Sequence, residues 1–546
     1  METVLIGVDG LEPSLVEQWR DDLPTFRRLM DEGSFGRLRS SDPPISFPAW
    51  QWLYTGKQGG KHNVFGFTHR KEGSYERTSA NLSNVMAETL WDALSFEGRS
   101  VGVVNVPGTY PPADVDDGFM ISGWPVPNRT RPANPESVLD EIEAEIGESY
   151  TVNPIPMGPE LFDFDADQVY ESLSDAMDHH RRAFEALVDL YRNDLDVFFC
   201  VFRETDTAGH HLAWDEEHLK RLYVDQDAAL ASLLETVPDD ANVVLFSDHG
   251  HVAKSTLNFH VTEWLRENDY LAVDESSRPG LSWFGRNVVT RLGITRKNLL
   301  RAKNKLGIDD VRAYLPQSVF DLVMRLVPPT DQHLVMPDSG LDADDVDWSE
   351  TTAYTGPEAN VVFLNTSDAH PEGTVDDPEP VRQQLKDKLL DIEHPDPDRG
   401  GLVTDIKTKD EVFSGPYAEN APAIVFIADE MRCQVHPGTN DGEVFSETRL
   451  GEHRPDGVLI TSGPAFDDAE SVSDRSILDV FPLVLSLLDA SIPADVDGEI
   501  PADRLTSDPD PTYRESRDEH GSVESYSDAE DEAIREQLKG LGYLDG

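Results

Sequence analysis

The sequence predicts an α/β fold: a doubly wound, mostly parallel sheet with an inserted helical cap. Three observations lead there. Short apolar runs typical of buried central strands, such as Val4-Leu-Ile-Gly-Val8 and Val243-Val-Leu-Phe246, alternate with segments of helical spacing. That alternation is the signature of strand–helix–strand crossovers, which cover both faces of a parallel sheet. The patterning is lost once, between about residues 275 and 345, where Leu-rich helical spacing takes over. No internal repeat is present.

Length and charge narrow the class. With 546 residues the chain exceeds one ordinary core, so a large domain with an insertion, or two domains, is expected. Acidic residues outnumber basic ones 104 to 46, for a net charge of −58. Such an excess repels itself at low ionic strength, whereas at ~1 M salt the Debye length shrinks to about 3 Å. A salt-rich cytoplasm, as in halophiles, is the expected setting. The acids are spread among well-patterned apolar segments, which argues against a disordered acidic protein. The negative surface argues against nucleic acid as a partner. Two cysteines, Cys200 and Cys433, make neither a disulfide framework nor a cysteine zinc site. The first strand begins almost at Met1 with no signal peptide before it, and no run approaches the ~18 apolar residues of a membrane span. A soluble, cytoplasmic protein is expected.

In chain order, Val4–Val8 is a central strand ending in Asp9-Gly10, which puts a carboxylate at a strand tip with glycine easing the turn. Leu23–Glu32 has helical spacing, which Gly33 ends. In Ile45-Ser-Phe-Pro-Ala-Trp50, Pro48 suits a first helical turn and so places Ser46 just before a helix amino terminus. There the hydroxyl reads two ways: as a helix cap, or as a nucleophile beside free N–H groups that favour an alkoxide and a phosphate. Strands are predicted at Val101–Val106, Phe119–Ser122 and Val197–Phe202, with helices at Leu139–Ile146 and Ala183–Tyr191. Beyond Phe202, Asp206 and His210 stand four apart and share a face if the segment is helical, which favours His210 over His211. A helix over Leu219–Leu234 leads into Val243–Ser247, after which Asp248 and His249 follow at the strand's carboxyl end. Open α/β sheets bind their ligands at such ends.

Between Glu275 and Asp309 lie eight Lys or Arg residues and no acid. This tract, Arg278 to Lys305, either neutralises acidic neighbours or belongs to a cap that attracts an anionic substrate. Strands are predicted again at Val361–Leu364, Ala423–Ile427 and Val458–Thr461, with helices at Val381–Ile392 and Ser476–Leu488. His453 is expected in the glycine-bounded loop Gly451–Gly457. The expected organisation is a core over 1–270 and 346–502, a cap over 271–345, and an acidic mobile tail over 503–546 that ends in a helix at Asp528–Leu541.

Asp9, Ser46, Asp206, His210, Asp248, His249 and His453 provide three carboxylates, three imidazoles and a hydroxyl, enough donors for two divalent ions. Two such ions balance the carboxylates and a serine alkoxide, so an incoming phosphate meets no net repulsion. In order and type these residues resemble the alkaline phosphatase superfamily, and most closely its type I phosphodiesterase/nucleotide pyrophosphatase branch. Val4–Gly10 resembles its first strand with the metal-binding Asp, and Ser46-Phe-Pro48 its nucleophile motif. Asp206-x3-His210, Ser247-Asp-His-Gly250 and Gly451-x-His453 resemble its remaining metal motifs.

The resemblance implies a hydrolase of phosphate esters, such as diesters or nucleotide pyrophosphates, with a small-molecule substrate. It implies one ion on Asp206, His210 and His453, and another on Asp9, Asp248, His249 and the Ser46 oxygen. Zinc is the usual metal and Mn²⁺ can serve. Ser46 would form a covalent seryl phosphate. An Asn that contacts phosphate in related enzymes is replaced by Phe67, leaving Asn63 or Lys57 to substitute, and diester versus monoester preference stays open. A sulfatase would need Arg where Trp50 stands, and the inserted domain of a cofactor-independent phosphoglycerate mutase is not evident. A non-catalytic scaffold need not keep all these positions filled.

Overall fold

The computed structural model describes residues 1–127, 130–155, 164–273, 343–440, 442–467, 474–517 and 527–540. Most of the expected cap and the whole basic tract 278–305 lie outside these residues. At the centre is a nine-stranded sheet. In spatial order its strands are Arg475–Ser476, Gly33–Arg39, Asp456–Ser462, Asn242–Phe246, Thr3–Val8, Val197–Phe202, Val101–Val106, Phe119–Ser122 and Ala133–Asn134. The five strands from Asn242–Phe246 to Phe119–Ser122 are parallel. Asp456–Ser462 runs antiparallel to both its neighbours, and Ala133–Asn134 to its one. The expected alkaline-phosphatase-like, doubly wound α/β class is therefore the one observed: a mixed, mostly parallel sheet between helices.

Alternation along each strand builds two cores. Val4, Ile6, Val8, Phe198, Cys200, Phe202, Val243 and Leu245 face helices Pro24–Asp31, Ala166–Tyr191 and Glu216–Thr236. Leu5, Val103, Phe199, Val201, Val244 and Phe246 face helices Ser46–Thr55, Leu90–Phe96 and Val480–Leu487. With both faces buried, these strands read in sequence as continuous apolar runs. Gly7 falls on the second face, where a Cβ would come within 2.6 Å of the Trp50 ring, so glycine lets helix Ser46–Thr55 lie close on the sheet.

Register sets the site. Val8 pairs with Phe202 and Gly7 with Phe246, so the chain leaves three neighbouring parallel strands at one edge, just before Asp9, Asp206 and Asp248.

Several expectations need correction. Gly33 is the first residue of an unpredicted strand, Gly33–Arg39, and glycine is needed there because a Cβ would meet the Thr461 carbonyl. Ser46 is the first residue of helix Ser46–Thr55, not the residue before it; Ile45 is the cap. His453 sits in the long antiparallel strand Phe445–Arg454 and not in a loop. The strands Val361–Leu364 and Ile424–Ala428 pair with each other in a separate four-stranded sheet. Within 503–546, Arg504 is fully buried and donates to Ser34, and Tyr513–Arg514 pairs with Ile492–Pro493.

Candidate active site

Five chain segments meet at the carboxyl edge of the sheet. Asp9 follows Thr3–Val8, and its backbone N–H still donates to the Phe202 carbonyl at 2.8 Å. Gly10 turns the chain at φ +68°, and a Cβ there would lie 2.7 Å from the Asp206 Cα. Its N–H donates to Asp248 Oδ1 at 3.3 Å. Ser247 Oγ accepts from the Leu11 N–H and donates to the His249 carbonyl, tying the loop after Asp9 to the one carrying Asp248 and His249. Asp206 and His210 lie in helix Glu204–Leu212, as their spacing predicts. His453 arrives from the antiparallel strand, which pairs with Gly250–His260.

The histidines are oriented by their backbone contacts. His249 Nδ1 lies 2.9 Å from the Gly250 carbonyl, His453 Nδ1 2.9 Å from the Pro44 carbonyl, and His210 Nδ1 3.2 Å from the Gly451 carbonyl. Each Nδ1–H donates to a carbonyl, so each Nε2 faces the centre, an arrangement common among metal-binding imidazoles. His210 Nε2 and His453 Nε2 stand 3.6 and 3.4 Å from Asp206 Oδ1 and 3.1 Å from each other. His249 Nε2 lies 3.7 Å from Asp9 Oδ1, 3.2 Å from Asp248 Oδ2 and 2.8 Å from Ser46 Oγ. His211 takes no place in this group and lines the neighbouring cavity.

Charge and burial conflict here. Asp9, Asp206, Asp248, His249 and His453 are all buried. Burial, with Asp248 and Asp206 nearby, raises Asp9 well above the usual carboxylate range. Burial and Asp206 likewise push Asp248 up to about 7. At Asp206 burial is outweighed by His210, His453 and His251, which hold its carboxyl well below that range. At His453 burial is outweighed by Asp206, which lifts the ring to about 9. Burial, then His453, depresses His249 strongly. Asp9 Oδ1 and Asp248 Oδ2 are buried with no hydrogen-bond partner. Crowded carboxylates with unmet acceptors beside inward-facing imidazoles are costly alone and suit divalent cations. Two overlapping groups have ligand atoms all within 4.8 Å: Asp206, His210, His251 and His453; and Asp9, Asp206 and His249. This donor set fits a two-ion centre.

His251 was not singled out from the sequence. Its signal was present: it stands two residues beyond His249, on the same side of an extended chain. Arg203 was missed too. Its guanidinium stacks on Trp124 at 4.2 Å, with Nε 3.7 Å from Asp9 Oδ2. Both expected substitutes for the missing Asn make other contacts. Lys57 Nζ pairs with Asp495 at 2.8 Å, and Asn63 accepts from Asn420 at 2.9 Å. Phe67 is buried among Phe47 and Trp124. Beside the ligand cluster is a cavity of about 280 Å³, whose walls include Ile45, Phe67, Arg203, Glu204, His210 and His453.

Comparison with curated proteins finds no match. Among solved structures, human ectonucleotide pyrophosphatase/phosphodiesterase 5 has 14% identity and a TM-score of 0.49, over 93% of this chain and 100% of that one. The murine protein of that name has 13% identity and a TM-score of 0.47, over 91% and 98%. Phosphonoacetate hydrolase from Sinorhizobium meliloti 1021, in complex with phosphonoformate, has 14% identity and a TM-score of 0.48, over 88% and 94%. Residues 3–374 match the type I phosphodiesterase / nucleotide pyrophosphatase family. That match covers more than half of the chain, which therefore belongs to this family and is a metal-dependent hydrolase of phosphate esters.

Proposed function

We propose that the chain hydrolyses phosphodiesters or nucleotide pyrophosphates through a covalent phosphoserine at Ser46, beside two divalent ions. The supporting observation is the 2.8 Å contact between Ser46 Oγ and His249 Nε2, made among three carboxylates and at the amino end of a helix. Asp206, His210 and His453 would hold one ion, and Asp9, Asp248, His249 and the Ser46 oxygen the other. Bound there, zinc or Mn²⁺ supplies Lewis acidity for the attacking and leaving oxygens.

The protein's own groups do the rest. His249, with Nδ1–H fixed on the Gly250 carbonyl, holds Nε2 2.8 Å from Ser46 Oγ, so that one ion would take both atoms as ligands. Ser46 Oγ bonds to phosphorus as the bond to the alcohol or nucleotide oxygen breaks, and the proton from Oγ ends on that leaving oxygen. Water then cleaves the phosphoserine, returning a proton to Oγ. The positive helix end favours the anion at Ser46, and Phe47, Trp50 and Phe67, buried around it, exclude bulk water. The chain over 271–345 is read as a cap on this core, and the protein as one of a salt-rich cytoplasm, in keeping with its charge.

Arg203 favours a second reading, phosphomonoester hydrolysis. A buried guanidinium on the cavity wall suits the extra charge of a monoester dianion. The test is turnover of bis-p-nitrophenyl phosphate, p-nitrophenyl phosphate and p-nitrophenyl sulfate, in high salt with Zn²⁺ or Mn²⁺. Preference for the diester supports the first reading and preference for the monoester the second. Turnover of the sulfate alone overturns both.

A further inference from the structure

We propose, on the basis of the two-ion reading above, that His251 is a fourth protein ligand of the ion assigned to Asp206, His210 and His453. His251 Nε2 lies 3.4 Å from Asp206 Oδ1, as near as His453 and nearer than His210 at 3.6 Å. One ligand atom from each of the four falls within 4.8 Å of all the others. The His251 ring is fully buried, edge-on to His210 at 4.4 Å between centroids and 5.0 Å from His453.

The surrounding chain is built for this ring. A Cβ on Gly209 would come within 2.3 Å of it, so the residue between Asp206 and His210 that leaves it room is glycine. The His251 backbone N–H donates to Glu12 Oε2 at 3.2 Å, and the Glu12 N–H donates to the Tyr223 hydroxyl at 3.1 Å, which fixes the strand's start. His249 and His251, with rings 6.3 Å apart, let one short segment serve both ions.

The ligand count changes what that ion does. Zinc with three protein ligands keeps a position open for water or substrate, whereas four close a tetrahedral shell. The ion on Asp206, His210, His251 and His453 would therefore be the tighter one, since the other reaches four protein ligands only by counting the Ser46 oxygen. The readily exchanged position would be the one taken by the Ser46 oxygen, on the ion assigned to Asp9, Asp248 and His249.

Co²⁺ is the probe. Full-length protein in high salt is loaded with one and then two equivalents, and the first shell is read by X-ray absorption at the cobalt edge. Three imidazoles around the first equivalent are expected. Two imidazoles there, with two ions still bound, overturn the proposal and leave the two-ion reading standing. Failure to bind two equivalents overturns that reading itself. His251→Ala and the bulkier His251→Gln should each weaken the tighter ion at least about tenfold in chelator competition, with the second ion unchanged. His453→Ala, the control, should weaken that same ion. Loss in His453→Ala with no change in either His251 variant overturns the proposal. The wild-type spectrum decides the matter even if a variant fails to fold.

Discussion

The Ser46 hydroxyl lies 2.8 Å from His249 Nε2, although 203 positions separate the two residues. Ser46 opens a helix and His249 follows a strand, so only stacking that helix on the sheet brings them together. Because Ile45, not Ser46, is the capping residue, the hydroxyl is not engaged in closing the helix. Ser46→Ala should therefore leave thermal stability nearly unchanged and lower kcat by several orders of magnitude, the usual loss for a covalent nucleophile. Steady-state kinetics beside a melting curve checks this. Activity within about tenfold of wild type would reduce Ser46 to a structural role.

Asp248 and His453 serve different ions in the proposed assignment. Asp248→Asn and His453→Ala should each lower bound metal by about one ion per chain, and the double variant should lose both. Elemental analysis after dialysis reads this directly. Full occupancy in both single variants would remove the ligand assignment.

Metal binding should release protons and become tighter as pH rises. Without metal, Asp248 titrates near 7 and His453 near 9, both raised. Raised groups add stability below their unfolded values, about 3.9 for Asp and 6.5 for His, and that stability is lost as pH climbs through the folded values. The metal-free protein should therefore lose Tm from about pH 4 to 9, through Asp248 up to about 7 and through His453 beyond it, and the gain in Tm on adding Zn²⁺ should widen over that range. Calorimetry with and without chelator tests it; a gain that narrows with pH would contradict the proton assignment.

Gly10→Ala should weaken both the fold and the metal centre. Its φ of +68° disfavours alanine by roughly 1 kcal/mol, and the added methyl meets Asp206 at 2.7 Å. Pushing Asp206 away from Asp9 should lower metal affinity beyond what the stability loss explains. Chelator competition at a temperature where the variant is fully folded separates the two effects.

Salt should stabilise the protein. A net charge of −58 favours expansion until counterions screen it, so Tm should rise steadily from low salt to molar KCl. A flat profile would show that the acids are neutralised locally.

Much of the fold was legible in the sequence because central parallel strands are buried on both faces. Val197–Phe202 is a continuous apolar run, Val101–Val106 and Phe119–Ser122 each include one polar residue, and the bounds of all three in the structure match the prediction. The shared face of Asp206 and His210 was legible as well, since helical spacing is a local property and helix Glu204–Leu212 obeys it. Strand Phe445–Arg454 was not legible. It lies half-exposed with only Gly451 and His453 buried, so it lacks the apolar pattern that marks a strand, and the glycines around His453 predict a loop instead. Gly33–Arg39 was hidden by Gly33, which is needed for close strand packing rather than for a turn. His251 carried a local signal, but its partners Asp206, His210 and His453 come from two other segments. Sequence periodicity determines which residues are buried and which face a side chain takes. Which buried imidazole meets which carboxylate depends on sheet order and register, and those are set by packing between segments far apart in the chain.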